Sequence, residues 1–283
     1  MNSERNLLKR LLKAYPVKVL KDVFDITGLS QNEIIEEVLN TNSPLIVKNF
    51  AFTNFTHLRQ HVYIYNITGV MDNTWICDND LLHNQTNITP AIRTLNLLFK
   101  ATYKVYNPQT SATEDVFYYT PVQIRIINTK FIISINIQER DATSLFKSVV
   151  FSINKDMMDD EIIKYIVERM PLTASLTRLD INKGIKQLWE ENFIDAASVK
   201  YKKAKSTSTE VMDEEFTLKT TMPDVYNELQ NAPLQKNIFK ILEREDIISH
   251  FTTEPSNGKL SFTKFPENIN SIPDLIDLIL TRN

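Results

Sequence analysis

A mixed α+β fold is predicted by three features of the sequence. Apolar residues recur at helical spacing near the start and again from residue 156, a central stretch alternates with period two, and asparagine-led turn pairs sit between the alternating segments. The expected organisation is a helical N-terminal part over 1–98, a central antiparallel sheet over 99–155, and a C-terminal part over 156–283.

The first helix is read from Leu7, Leu8, Leu11 and Leu12, which recur at i, i+1, i+4 and i+5 on one stripe. Pro16 interrupts it, and a second helix over 17–25 is expected to close at Gly28, a residue suited to the left-handed position beyond a helix end. Ser30 followed by Glu33 matches a capping box for a third helix, with Ile34, Ile35 and Val38 on its buried face.

Strands are read in ATYKVYN, DVFYYTPVQIRII and KFIISINIQ, which are rich in β-branched and aromatic residues. Asn128-Thr129 between the last two suits a tight hairpin turn. From 156, the segment ending at Pro171 is helical, a short segment at 173–179 follows as a further helix, and Asp180 is placed as N-cap of a third, with Ile181, Ile185, Leu188, Trp189 and Phe193 on one stripe. Beyond 222 the chain is read as further helices, a short hairpin turning at Asn257-Gly258, and a closing helix in IPDLIDLIL.

Composition excludes several function classes. The formal net charge of -3 removes a histone-like coat of lysine, so contact with a polyanion needs a local patch. Gly28, Gly69, Gly184 and Gly258 are the only glycines and none is near another, so neither a P-loop nor a dinucleotide fingerprint can be written. The single cysteine, Cys77, excludes an intrachain disulfide and a multi-cysteine zinc site. No apolar run approaches the ~18 residues of a membrane span, and the N-terminus lacks the apolar core of a secretory signal, so a cytoplasmic protein is expected, or a nuclear one in a eukaryote.

Candidate chemistry is sparse. His57 and His61 in HLRQH would share a helix face, but the metalloprotease glutamate is missing and nothing completes a shell. Cys77 between Ile76 and Asp78 reads as a small buried hydrophobe, and the acids of MMDDE fit a helix start. No catalytic residue, metal or cofactor is therefore assigned.

The charge that stands out is SVKYKKAKSTST, residues 198–209, with four lysines within 200–205 followed by a run of hydroxyls. From Arg178 to Lys205 seven cations face four anions, a local excess on a negative chain. Val199 and Tyr201 alternate with Lys200 and Lys202, so one face of the strand is apolar and the other cationic, and EFTLK at 215–219 is expected as its partner strand. The order of three helices, the last carrying L-x-x-x-x-F-I, then strand, polar tip and strand resembles the winged-helix superfamily of the helix-turn-helix class over residues 156–219.

The resemblance implies a third helix in the major groove and a wing on the flanking phosphates. The matching positions are Asn182, Lys183, Lys186 and Gln187 on the helix and Lys200, Lys202, Lys203 and Lys205 on the wing. Ser206 and Thr207 would add hydroxyl contacts to phosphate oxygens. The expectation is a non-catalytic nucleic-acid-binding protein or complex subunit whose partner is double-stranded DNA. Two alternatives stay open: an adaptor docking a protein through the same unit, which suits Glu190, Glu191 and the acids after the tip, and an enzyme whose site is assembled from the sheet.

Overall fold

The computed structural model describes residues 3–28, 30–70, 82–86, 92–107, 111–137, 155–202, 207–211, 217–242 and 248–283. The fold is α+β. In chain order the helices α1 (Glu4–Lys13), α2 (Val17–Phe24), α3 (Gln31–Thr41) and α4 (Pro44–Thr53) precede strands β1 (Gln60–Gly69), β2 (Leu82–Thr86), β3 (Ile92–Asn107), β4 (Ala112–Ile127) and β5 (Lys130–Asn136). There follow α5 (Lys155–Glu168), β6 (Ala174–Arg178), α6 (Asn182–Glu190), β7 (Ile194–Lys202), β8 (Thr207–Val211), α7 (Leu218–Thr221) and α8 (Pro223–Asn231). Strands β9 (Asn237–Ile241), β10 (His250–Glu254) and β11 (Lys259–Phe262) and helix α9 (Ser271–Arg282) complete the chain.

These elements group into two compact units, one of residues 1–58, 67–129 and 133–175, the other of residues 59–66, 130–132 and 176–283. The division at 175/176 falls inside the stretch 156–219.

In the first unit, the leucine stripe of α1 joins Leu20, Ile34, Ile35, Val38, Val47 and Phe50 in a buried cluster. Ser30 and Glu33 form the expected capping box, each side chain bonding the other's backbone N–H. Gly28 does not occupy the left-handed position after α2; Asp25 does, at φ 51°. A Cβ on Gly28 would lie 2.6 Å from Ile34 Cγ1, so close packing explains the glycine. Strands follow in the order β2-β3-β4-β5, with β3 and β4 antiparallel from Ile92 opposite Ile127 to Asn107 opposite Ala112. Asn128, at φ 52°, makes the predicted turn between β4 and β5.

Several expectations are corrected. The helical part ends near residue 58, because 60–69 and 82–86 are strands. Val62, Tyr63, Ile64 and Tyr65 are all buried, so a strand covered on both faces shows no alternation in the sequence. His57 accordingly lies in a short 3₁₀ turn and His61 in β1, not together on one helix. Residues 174–178 form strand β6 instead of a helix, and 218–221 form the helical turn α7 instead of a wing strand. Finally, NIFKI is strand β9, where a helix was expected, whereas the expected hairpin turning at Asn257-Gly258 is formed by β10 and β11, β10 beginning at His250 within the stretch read as helix.

The second unit carries the order β1-β11-β10-β9-β7-β8, with β6 beside β1. Register sorts its side chains into two faces. Phe262, Phe251 and Phe239 stack in sequence at 6.1 and 5.9 Å on one face, and Trp189 of α6 meets Phe239 edge-on at 5.2 Å. Helix α9 packs on α6 at Gly184, where a Cβ would lie 2.3 Å from the carbonyl oxygen of Ile279. The opposite face carries His61, Ser261, Thr252, Ile238 and Ser198 in one row across the strands. Gly258, at φ 59°, takes the left-handed position that carries the chain from β10 to β11.

Candidate nucleic-acid interface

Helix α6 is held by its apolar stripe: Ile185, Leu188 and Trp189 are buried, and the Trp189 indole N–H donates to Asp195 Oδ1 at 3.0 Å. Asp195 is 1% exposed and also accepts the backbone N–H of Leu218 at 3.3 Å, with the Lys240 ammonium 4.0 Å away. This buried carboxylate ties the end of α6 and the start of α7 to the first residues of β7.

The outer face of α6 presents Asn182, Lys183, Lys186, Gln187 and Glu190 around an open depression. These are the helix positions that the winged-helix resemblance implied, together with one acid. Their side chains are not equally available. Asn182 donates to Asp180 Oδ1 at 2.7 Å and Ser256 Oγ at 2.9 Å, and its Oδ1 accepts the Leu234 N–H at 2.8 Å, so the whole carboxamide is engaged in the fold. Lys186 donates to the carbonyls of Gln230 and Ala232 at 2.9 and 2.8 Å. It closes the C-terminal end of α8, where a cation complements the helix dipole. Burial lowers its pKa, while the Asp180 charge pulls the other way. Gln187 donates to Glu191 at 3.2 Å, and Lys183 is exposed.

Strands β7 and β8 form a hairpin at the end of the sheet, with Ser198 opposite Val211, Lys200 opposite Thr209 and Lys202 opposite Thr207. Val199 is fully buried and Lys200 is exposed, as the alternation required. The ladder's second strand is TSTEV and not the EFTLK segment, so the hydroxyl run lies partly within the ribbon. Lys203, Lys205 and Ser206 lie outside the described residues, and for Lys202 and Thr207 only the backbone pairing is described.

Sequence reasoning missed a cluster on the row-bearing face of the same sheet. The exposed Arg178 guanidinium lies over the rings of Tyr63 and Tyr65, at 4.8 and 4.5 Å from their centroids, and the Lys259 ammonium is 5.5 Å from Tyr63. Tyr63 and Tyr65, two apart on a strand, carried a usable signal only if 60–69 had been read as β.

Among the described residues no group of His, Cys, Asp and Glu side chains could hold a metal ion, and no helix is long and apolar enough to cross a membrane. The Cys77, Asp78 and Asp80 stretch lies outside the described residues. No protein-family model matches the chain, and no curated protein matches it in sequence.

Proposed function

We propose that this is a non-catalytic nucleic-acid-binding protein or complex subunit that grips the phosphate backbone, of DNA in the first instance, with the β7–β8 hairpin. The observation that carries the reading is the hairpin register: Lys200, exposed beside a buried Val199, stands opposite Thr209, and Lys202 opposite Thr207. Lysines alternating with apolar residues and faced by hydroxyls form a ribbon whose outer side supplies cations and donors to phosphate oxygens. The order α6, β7, β8 is also that of the third helix and wing in the resemblance drawn from the sequence. Lysine ammonium groups act as point charges, so affinity arises from counterion release with little base discrimination.

Helix α6 then contributes through Lys183, while Asn182 and Lys186 act as braces. That division favours phosphate gripping over base reading. Docking of a protein partner is the second reading, supported by Glu190, which shares the α6 depression with Lys183.

Replacing Lys200, Lys202, Lys203 and Lys205 together by alanine is expected to weaken binding to a mixed-sequence duplex by about 100-fold at low salt, each lost phosphate contact costing several-fold. Thermal stability should stay close to that of the parent, because the ion pairs of a surface lysine such as Lys200 contribute little to it. A gel-shift titration in which the quadruple variant overlays the parent rules the hairpin out as the grip.

A further inference from the structure

Helix α6 packs on one face of the second unit's sheet; the other face is buried at Tyr63 and Tyr65 of β1 and is half-buried to exposed along the row beside them. Across β1, β11, β10, β9, β7 and β8 the register lines up His61, Ser261, Thr252, Ile238, Ser198 and Val211. The first five are half-buried or exposed, and Ile238, near the centre, is 40% exposed. Serine, threonine and isoleucine side chains thus make up the middle of this row, the trough, and no carboxylate stands in it.

A second row runs beside the first, from Tyr63 to Lys259 and Glu254. Arg178 stands at one end of this row, over Tyr63 and Tyr65, and Lys200 at the other, two residues beyond Ser198. Lys259 is 3.8 Å from Glu254, whereas neither Arg178 nor Lys200 has a carboxylate within 4.0 Å among the described residues. From β1 to β7 there are four strand spacings, about 19 Å at ~4.8 Å each.

Arg178 is the informative residue. A guanidinium lying on two aromatic rings is desolvated on that side and held in position, and its outer side remains open to solvent. Such a plane accepts the face of an unpaired base and still offers N–H donors to a phosphate. A duplex presents base faces only at its ends, whereas a single strand presents them along its length.

We infer that this open sheet face, from Arg178 across the trough to the β7–β8 hairpin, is a track for single-stranded nucleic acid, with Arg178 as the stacking anchor at its far end. The inference rests on the hairpin reading for the cationic end of the track and adds the polymer's strandedness and path. Arg178 here touches the ligand directly, Lys200 holds its backbone, and the Ile238 row leaves room for the bases between them.

The test is fluorescence anisotropy with a labelled oligothymidylate of about 12 nucleotides and a mixed-sequence duplex of about 16 base pairs, both within single-module site sizes. Arg178→Ala is expected to weaken binding to the single strand about tenfold, as loss of one stacked base does, and to change duplex binding less than twofold. Arg178→Lys, which keeps the charge but loses the plane, should recover only part of the loss. Ile238→Glu, at an exposed position that does not threaten folding, places a carboxylate in the trough and should cost a similar factor. If Arg178→Ala and Ile238→Glu both bind the single strand as the parent does while the quadruple lysine variant loses affinity, the track is wrong and the hairpin reading stands. If the quadruple variant overlays the parent on both probes but Arg178→Ala still weakens the single strand, the sheet face binds and the hairpin does not. A parent that binds neither probe overturns both and leaves the face to a protein partner.

Discussion

Asp195 illustrates what single residues do here. It is the buried junction of three elements: it receives the Trp189 indole N–H and the Leu218 amide, and faces Lys240 at 4.0 Å. A carboxylate at 1% exposure is tolerated only because those donors replace water. Asp195→Ala leaves the Trp189 indole N–H and the Leu218 amide without their acceptor, and should destabilise the protein by about 3 kcal/mol in urea unfolding. Asp195→Asn keeps an acceptor but loses the charge, and should cost roughly half as much. If the two variants unfold at the same urea concentration as the parent, the residue is not the junction that the distances indicate. Lys186 belongs to the same class: read as a DNA contact, it is spent on two carbonyls at the C-terminal end of α8. Nothing in its spacing on α6 distinguishes an outward lysine that meets solvent from one that meets the end of another helix.

At the scale of elements, the α6–β7–β8 run decides both the fold and the proposed function. Its helix and first strand were legible, because Ile185, Leu188 and Trp189 keep a 3.6 period and Val199 and Tyr201 a period of two. The middle helix of the winged-helix reading was not, since ASLTR has too few residues to show any period, and its strand state depends on pairing with the distant β1. The partner of β7 was likewise misplaced: TSTEV has no apolar face to announce it, yet it pairs over five positions. Arg178 and the tyrosines under it come from β6 and β1, two of the strands that sequence reasoning did not find, so the proposed track was beyond its reach. The contact of α6 with α9 gives a sharp check on the element packing. Gly184→Ala sets a methyl group 2.3 Å from the Ile279 carbonyl oxygen, a distance that backbone must open. Overpacking of this kind costs about 1–3 kcal/mol, against the small gain in helix propensity from alanine. Calorimetry should therefore find a lower Tm for Gly184→Ala, and an unchanged or higher one contradicts the close approach of the two helices.

For the whole molecule, the balance of charge separates the surviving functional readings. The chain is negative by three, while the segment from Arg178 to Lys205 carries an excess of cations. A local excess of cations on a chain with no net positive charge favours a defined orientation of a polyanion over indiscriminate coating. Association driven by a few lysines releases a matching number of counterions. With about four phosphates neutralised by the hairpin, the slope of log K against log salt should lie near -3.6 on duplex, and shallower, near -2.8, on a single strand. An apolar docking interface on a protein partner has no such slope, because burying apolar area releases no ions. Measured between about 50 and 200 mM salt, where a four-phosphate contact loses roughly 100-fold in affinity, the two cases do not overlap. A slope close to zero assigns the α6 face and hairpin to protein docking, and removing the four hairpin lysines should flatten a steep parent slope to about -1 on duplex, the share left to Lys183.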